Sequence, residues 1–414
     1  MATTKKTKQQ SLAALPFWRR AAKFVSRGLR WMFRTFATVL TVLLALLLLV
    51  STFSDQINPN TWILMPFFGL VYPILLLGSL LWTGFVAMAR RWGLLCLMLT
   101  VLLLSGGRIY RYCPITLFDP IPEDQICAPG EKPTAIDSLT ILTFNTHSMG
   151  KVNLSKDNQG LEALEVIRES NADIVCLQEY TFSASSGFTE EKILSTLRKK
   201  YPYYDFLPAY NSKNFGIALF SRYPIKHKET VDKDSKEYFS ARYYELNVHG
   251  TKVALLNCHL KSNSIPPKDR KGILETIEHI GVENRDEWKS GLHHLVPAWR
   301  KRAKEVLKVR EFLDEIFYYD KDLPCIVCGD FNDAPVSFTY NLMRGDMEDA
   351  WMDAGTGMGI TYHEMPFLFR IDYIFHTQRL HTLRTEVLKD VKLSDHYPLK
   401  AVFQLLPAPE NTHK

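Results

Sequence analysis

The chain has 414 residues, more than one ordinary domain needs, and its composition changes abruptly near residue 135. Residues 1–135 carry 14 Lys and Arg against 5 Asp and Glu, a net +9, and the remainder carries 36 against 39, −3, which gives the formal +6. The basic balance thus belongs to the apolar N-terminal part, and the C-terminal part lacks the overall positive charge of a strong nucleic-acid binder.

Residues 1–34 hold nine basic residues and no acidic ones, with Phe17, Ala21, Phe24, Val25, Leu29, Met32 and Phe36 at helical spacing. That pattern predicts a basic amphipathic segment lying on an anionic leaflet; the rival, an Arg-rich transit peptide, is disfavoured by the apolar runs that follow. The transmembrane region is expected over 35–107, with spans at about 35–53, 62–89 and 92–107. Basic residues accumulate at the N-terminus and at Arg90–Arg91, which predicts an inner-membrane protein with a cytoplasmic N-terminus. Three spans then put the rest on the periplasmic or extracytoplasmic side; two spans would put it in the cytoplasm. Residues 108–135, rich in Pro, read as a linker, and 136–408 as a globular domain.

In that domain Ser138–Asn145 reads as a strand, and Leu161, Leu164 and Ile167 mark a helix to about Glu169. Asp173–Glu179 reads as a buried strand ending on a carboxylate, and Thr189–Lys200 as a helix. Gly216–Ser221 is a strand. Phe239–Val248 and Lys252–Leu260 are expected to form a hairpin at His249–Gly250. Residues 262–297 read as a charged, irregular insertion, and 297–319 as a helix. Cys325–Gly329 reads as a buried strand running into Asp330-Phe331-Asn332, and Ile371–His376, Leu383–Leu388 and Leu399–Leu405 as the last strands. The alternation predicts an α/β fold with mixed sheets.

The seven cysteines are too few and scattered for a disulfide framework. Cys325-x-x-Cys328 falls inside a strand, which favours core thiols over a redox or zinc pair. Cys113 and Cys127 flank the Pro-rich stretch and are candidates for a disulfide on an oxidising side. Arg300, Lys301, Arg302 and Lys304 read as the solvated face of a helix.

Asn145, Glu179, His259, Asp330 and Asn332 stand at predicted strand ends; Asp372 lies in an apolar strand, and Asp395-His396 precede the last one. Each has a plain reading, such as a rim carboxylate, a core histidine, half of an ion pair or a turn cap. Together they read as groups aimed by a rigid scaffold into one cleft. Carboxylate and amide oxygens suit a hard cation, and histidines can bind phosphate oxygens or move a proton. The chain has no Gly-x-x-x-x-Gly-Lys loop and no Gly-x-Ser-x-Gly elbow, which disfavours a nucleotide-driven motor or a serine hydrolase.

In their order and spread, TFN at 143–145, LQE at 177–179, GIALFSRYPI at 216–225, NCHL at 257–260, GDFN at 329–332, RIDYIF at 370–375 and SDHYP at 394–398 resemble the endonuclease/exonuclease/phosphatase superfamily, of deoxyribonuclease I-like fold. The resemblance implies a four-layer αββα sandwich and metal-dependent hydrolysis of a phosphate ester. It implies Asn145, Glu179 and Asp395 as ligands of Mg²⁺ or Mn²⁺. Asp330 would orient or deprotonate water, Asn332 hold phosphate and His259 stabilise developing charge. His396, paired with Asp372, would act as acid/base or phosphate ligand. The chain departs from the nuclease pattern where a Glu should pair with His259: Ser240-Ala241 precede Arg242, and Glu237 is the nearest candidate.

The expected function is a membrane-anchored phosphodiesterase or phosphatase, its partners a phosphate-ester substrate (nucleic acid, lipid headgroup or small diester) and the lipid bilayer. The alternatives are a nuclease and, from another class, a non-catalytic phospho-ligand-binding membrane protein. No protein partner is expected.

Overall fold

The computed structural model describes residues 16–116, 126–127, 136–151, 159–184, 187–232, 240–263, 285–364 and 369–408. The chain divides into two compact units, one of residues 1–52 and 71–106, the other of residues 53–70 and 107–414.

In the first unit, helix α1 (Phe17–Thr52) joins the basic amphipathic segment and the first apolar run without a break. Helix α2 (Met65–Met88) carries Pro73 inside it. Both are long and apolar enough to cross a membrane. Helix α3 (Trp92–Leu104) is only 13 residues and is bent by 59° from α4 (Gly106–Tyr112); only together are the two long and apolar enough to cross, as a broken span or a re-entrant loop. Polar side chains in apolar helices need partners. Here Trp82 Nε1 donates to Thr41 Oγ1 at 2.9 Å, and the Thr52 and Ser105 hydroxyls meet at 2.5 Å.

The second unit is an αββα sandwich. One sheet contains β1 (Ile126–Cys127), β2 (Ile136–Asn145), β3 (Ile174–Thr181), β4 (Tyr203–Pro208), β5 (Phe215–Ser221), β12 (Leu380–Val387) and β13 (Leu399–Leu405), in the order β12-β13-β2-β3-β5-β4 with β1 beside β2. The other contains β6 (Ile225–Thr230), β7 (Ser240–Val248), β8 (Thr251–His259), β9 (Cys325–Asp330), β10 (Glu348–Asp349) and β11 (Asp372–His376), in the order β10-β11-β9-β8-β7-β6. β2–β3 and β8–β9 are parallel, and most other pairs antiparallel.

Period-two alternation builds the layers. On β2, Leu139 and Ile141 join Ile326, Cys328 and Leu255 between the sheets. Leu142 and Phe144 face the other way, onto Ala163, Leu164 and Ile167 of α5 (Gln159–Glu169) and Ile193 of α6 (Glu190–Leu197). On β9, Cys325 and Val327 face Val306, Val309 and Leu313 of α7 (Arg285–Tyr319) and Tyr340 and Met343 of α8 (Phe338–Arg344). Cys325 and Cys328 therefore lie on opposite faces of one buried strand, as core thiols. Cys113 is a free thiol, and the side chain of Cys127 lies outside the described residues.

Four sequence expectations need correction. β3 does not end at Glu179; its register against β5 shifts between Leu177 and Tyr180, and pairing resumes to Thr181. Strands β4 and β6 were not foreseen. α7 begins at Arg285, not at 297, and carries Pro297 inside it; of the expected insertion, residues 264–284 lie outside the described set. Arg302, read as part of a solvated face, is wholly buried.

Candidate active site

Parallel pairing of β8 and β9 sets His259 opposite Asp330. Gly329 allows that closeness. Its φ is +136°, and a Cβ there would fall 1.9 Å from the Cys258 carbonyl oxygen. Pairing of β9 with β11 sets Asp372 opposite Asp330 on the other side, and β2 delivers Asn145 from the facing sheet.

Asp330 is the hub. Its Oδ2 accepts from Asn145 Nδ2 at 2.9 Å and from Asn332 Nδ2 at 3.0 Å, and its Oδ1 accepts from the Asn332 backbone N–H at 2.8 Å. The last bond is the Asx turn that Asp-Phe-Asn permits, and it holds Asn332 at φ +53°. The Nε2 atoms of His259 and His396 each lie 3.8 Å from Asp330 Oδ2. Burial pushes the Asp330 carboxyl up to about 6 against the pull of His396.

Glu179 occupies the bulge in β3 with φ +48°, a conformation that costs energy for a non-glycine residue. The bulge re-aims its carboxylate, whose Oε1 lies 3.8 Å from His259 Nε2. Burial raises its pKa despite the nearby His147 and His396. His259 is lowered, burial being the largest cause, and its buried Nε2 has no hydrogen-bond partner.

His396 Nδ1 bonds Asp372 Oδ2 at 2.8 Å. Burial alone would lower its pKa, but Asp372 and Asp330 overcome that and raise it to about 10. Asp395 is buried enough to be raised, yet hydrogen bonding from His147 and the charge of His396 hold it down at about 2. Ser394 Oγ donates to the Asn145 carbonyl at 2.8 Å, which ties this turn to the end of β2.

All eight residues expected from the sequence thus stand around the same strand ends. Among the described residues, no carboxylate takes the place of the missing Glu partner of His259. Ser240 is its register partner, Arg242 donates to Asp205 Oδ2 at 3.1 Å, and Glu237 lies outside the described set.

Sequence reasoning passed over three residues. His147 lies in a run of four left-handed residues, His147 to Gly150, and its Nδ1 is 2.8 Å from Asp395 Oδ1. A polar residue two places after a strand-ending Asn was the available signal. Gln178 and Asn257 join the two sheets behind the site: Gln178 Nε2 donates to Asn257 Oδ1 at 2.7 Å, and Asn257 Nδ2 to the Ala218 carbonyl at 3.1 Å. Each immediately precedes, or lies two before, a site residue in a motif already singled out, LQE and NCH.

Residues 142–396 match the Endonuclease/Exonuclease/phosphatase family. The chain belongs to this family. Residues 33–112 match a domain of unknown function, DUF8431. The uncharacterised Escherichia coli protein YbhP is 28% identical over 214 residues, covering 44% of this chain and 75% of YbhP. An endonuclease/exonuclease/phosphatase structure from Beutenbergia cavernae is similar at 20% identity and TM-score 0.47, over 66% of this chain and 73% of its own. The human nocturnin catalytic domain with bound sulfate is similar at 19% identity and TM-score 0.47, over 65% and 94%. Membership in the Endonuclease/Exonuclease/phosphatase family supports phosphoester hydrolysis as the reaction class, and the apolar N-terminal helices are compatible with a membrane anchor.

The donor set fits a hard divalent cation. Asn145 offers an amide oxygen, Glu179 a carboxylate whose charge burial disfavours and a cation would restore, and Asp395 a carboxylate kept ionised. Asp330, Asp372 and His396 also converge within 4.8 Å. That triad is better read as an ion-pair chain, because an imidazolium has no lone pair to give a metal.

Proposed function

We propose that this chain is a membrane-anchored, divalent-metal-dependent hydrolase of phosphate esters, a phosphodiesterase or phosphatase. The observation that carries the reading is the convergence on Asp330 Oδ2, where two amide donors bind and two imidazole nitrogens stand 3.8 Å away.

Asn145, Glu179 and Asp395 would hold Mg²⁺ or Mn²⁺, which supplies positive charge to a phosphoryl oxygen when bound. Asp330, with its carboxyl at about 6, suits the orientation and deprotonation of water near neutral pH. Asn332 would hold a phosphate oxygen only by giving up one of its amide bonds, to the Leu260 carbonyl or to Asp330 Oδ2. His259, kept neutral by burial, offers a hydrogen bond to charge developing on the phosphoryl group. His396, held as an imidazolium by Asp372, binds phosphate oxygen or protonates the leaving group. The domain boundaries of this reading are a juxtamembrane segment to residue 34, a transmembrane region over 35–107, a linker over 108–135 and a catalytic domain over 136–408. The N-terminus lies in the cytoplasm and the catalytic domain on the periplasmic or extracytoplasmic side of the inner membrane.

The test is hydrolysis of bis(p-nitrophenyl) phosphate and p-nitrophenyl phosphate by the full chain in detergent, with Mg²⁺, with Mn²⁺ and with chelator. Turnover should need metal and fall at least 100-fold in Glu179→Ala with thermal melting retained. Metal-independent turnover, or a fully active Glu179→Ala, would sink the metal assignment.

A further inference from the structure

We propose that a second divalent cation, Zn²⁺ by the chemistry of its ligands, binds between Glu348, Asp353 and His376 at the edge of the sandwich, apart from the catalytic site. The proposal does not depend on the hydrolase reading above.

One strand pair and one short helix bring the three side chains together. β10 pairs with β11 in antiparallel register, and Glu348 stands directly opposite His376. Side chains so placed have Cβ atoms about 5 Å apart. Helix α9 (Ala350–Ala354) follows β10 at once and returns Asp353 to the same place. One ligand atom from each of the three lies within 4.8 Å of the others. The backbone that carries them is fixed independently. Asp349 caps α9, accepting from the Trp351 N–H at 2.9 Å, and also holds Arg370 Nη1 at 2.8 Å. Thr385 of β12 donates to the Ala350 carbonyl at 2.8 Å. Ligands on elements held this way need little ordering when an ion arrives.

The imidazole carries the argument. His376 is wholly buried, and its Nδ1 faces the Thr377 carbonyl oxygen at 3.1 Å. A carbonyl oxygen only accepts, so the ring proton sits on Nδ1 and Nε2 presents a lone pair. Metal-bound histidines are held in this way, the second nitrogen donating to a carbonyl or carboxylate. Nε2 points at Asp353 Oδ2, 2.8 Å away, and Thr382 Oγ1 lies 2.8 Å from Nε2 and 3.0 Å from the same Oδ2. The hydroxyl supplies a single proton to these contacts. Two lone-pair atoms are left facing each other, which requires a cation between them or a second proton on the ring. The second proton leaves charge uncompensated: one imidazolium would face two carboxylates, and among the described residues neither Glu348 nor Asp353 has a lysine or arginine partner. A divalent ion meets both carboxylates and the lone pair at once.

Ligand type selects the ion. Mg²⁺ and Ca²⁺ favour oxygen throughout, whereas one imidazole with two carboxylates suits Zn²⁺, with water in the fourth position. Ligand atoms about 2.1 Å from a tetrahedral ion stand roughly 3.4 Å apart, so Nε2 and Oδ2 open slightly and Glu348 closes by turning its own side chain. His376 ends β11, four residues after Asp372, which is about 13 Å along an extended strand and sets the ion away from the chemistry. Thr382, which orients Asp353, belongs to the facing sheet. The ion therefore ties the two sheets together at one edge, and its effect is on stability.

The experiment strips the full chain in detergent with chelator and returns excess Mg²⁺ for the catalytic site. Zn²⁺ uptake is then measured by equilibrium dialysis and elemental analysis, beside thermal melting. Zn²⁺ should bind at about one equivalent in spite of the Mg²⁺ and raise the melting temperature by several degrees. Asp353→Asn and Glu348→Gln, both at the surface, should each weaken Zn²⁺ about tenfold or more and remove the melting shift. Glu348→Gln decides the matter if Asp353→Asn fails to fold. Glu179→Ala should keep the full equivalent. Zn²⁺ held as tightly by Asp353→Asn and Glu348→Gln as by the parent, or lost in Glu179→Ala, puts the ion at the catalytic site and overturns the proposal. No uptake by the parent chain also overturns it and leaves a proton as the bridge between His376 and Asp353.

Discussion

His396 takes its charge from the carboxylates around it. With a folded pKa of about 10 against an ordinary 6.5, the folded state keeps a proton that the unfolded chain releases. The stability this contributes is complete below pH 6.5 and is lost as pH rises toward 10. The neighbours act in other windows. Asp330 titrates near 6, Asp395 near 2 and His259 below 6.5, while the buried thiols, raised by burial, matter only where unfolded cysteines ionise. Between pH 6.5 and 8.5 the metal-free chain should therefore lose up to about 1.4 kcal/mol per pH unit from this one residue. Thermal melting in detergent with chelator should fall across that window, and His396→Gln should flatten the slope. An equal slope in the variant would show that Asp372 does not hold the proton there.

At the scale of elements, α7 does more than cover a sheet. Its buried Arg302 donates from Nη1 to the Lys261 carbonyl at 2.7 Å, from Nη2 to Asn263 Oδ1 at 3.0 Å and from Nε to Asp333 Oδ2 at 3.2 Å. One guanidinium thus binds the loop after His259 to the loop after Asn332. Lysine cannot reproduce that fork. Arg302→Lys should lower kcat on a small ester at least tenfold and melting by a few degrees, whereas Arg300→Ala and Lys304→Ala should change neither; unaltered kcat in Arg302→Lys would detach α7 from the site. The sequence could not single out Arg302, because four basic residues in five look alike until the fold decides which one is covered. The same limit applies to β3. An unbroken apolar run reads as a strand, but the bulge that aims Glu179 is a matter of register against β5, which no single segment contains. β6, with His227, Lys228 and Glu229 in six residues, is an edge strand among the described residues and carries little hydrophobic signal. What was legible were the core strands β2, β8 and β9, whose apolar runs end on polar groups, and with them the positions of Asn145, His259 and Asp330. Gln178 and Asn257 escaped because a buried amide pair needs both sheets to be seen.

For the whole molecule, the side of the membrane follows from which segments share a unit. Residues 53–70 and 107–414 belong together, with Asp55 bonded to Arg108 and Arg111. Two connections held on one body must lie on one side, so the chain between them crosses there and back or not at all. α2 is long enough to cross, and in the proposed topology the bent α3–α4 pair would be the return. A single crossing by α1 would then set the side. In the proposed orientation, the nine basic residues in the first 34 would hold that end in the cytoplasm, with Arg90 and Arg91 at the other cytoplasmic turn. A reporter that works only outside the cytoplasm should be active when fused after Lys414 and silent when placed between Arg90 and Arg91, and a cytoplasm-only reporter should give the reverse. Cytoplasmic activity after Lys414 with outside activity at residue 90 would mean that α1 does not cross while α2 and the α3–α4 pair do; cytoplasmic activity at both positions would mean that no helix crosses. Activity outside the cytoplasm at both positions would mean that neither α2 nor the α3–α4 pair crosses, with Asp55 and the two arginines still together on one side.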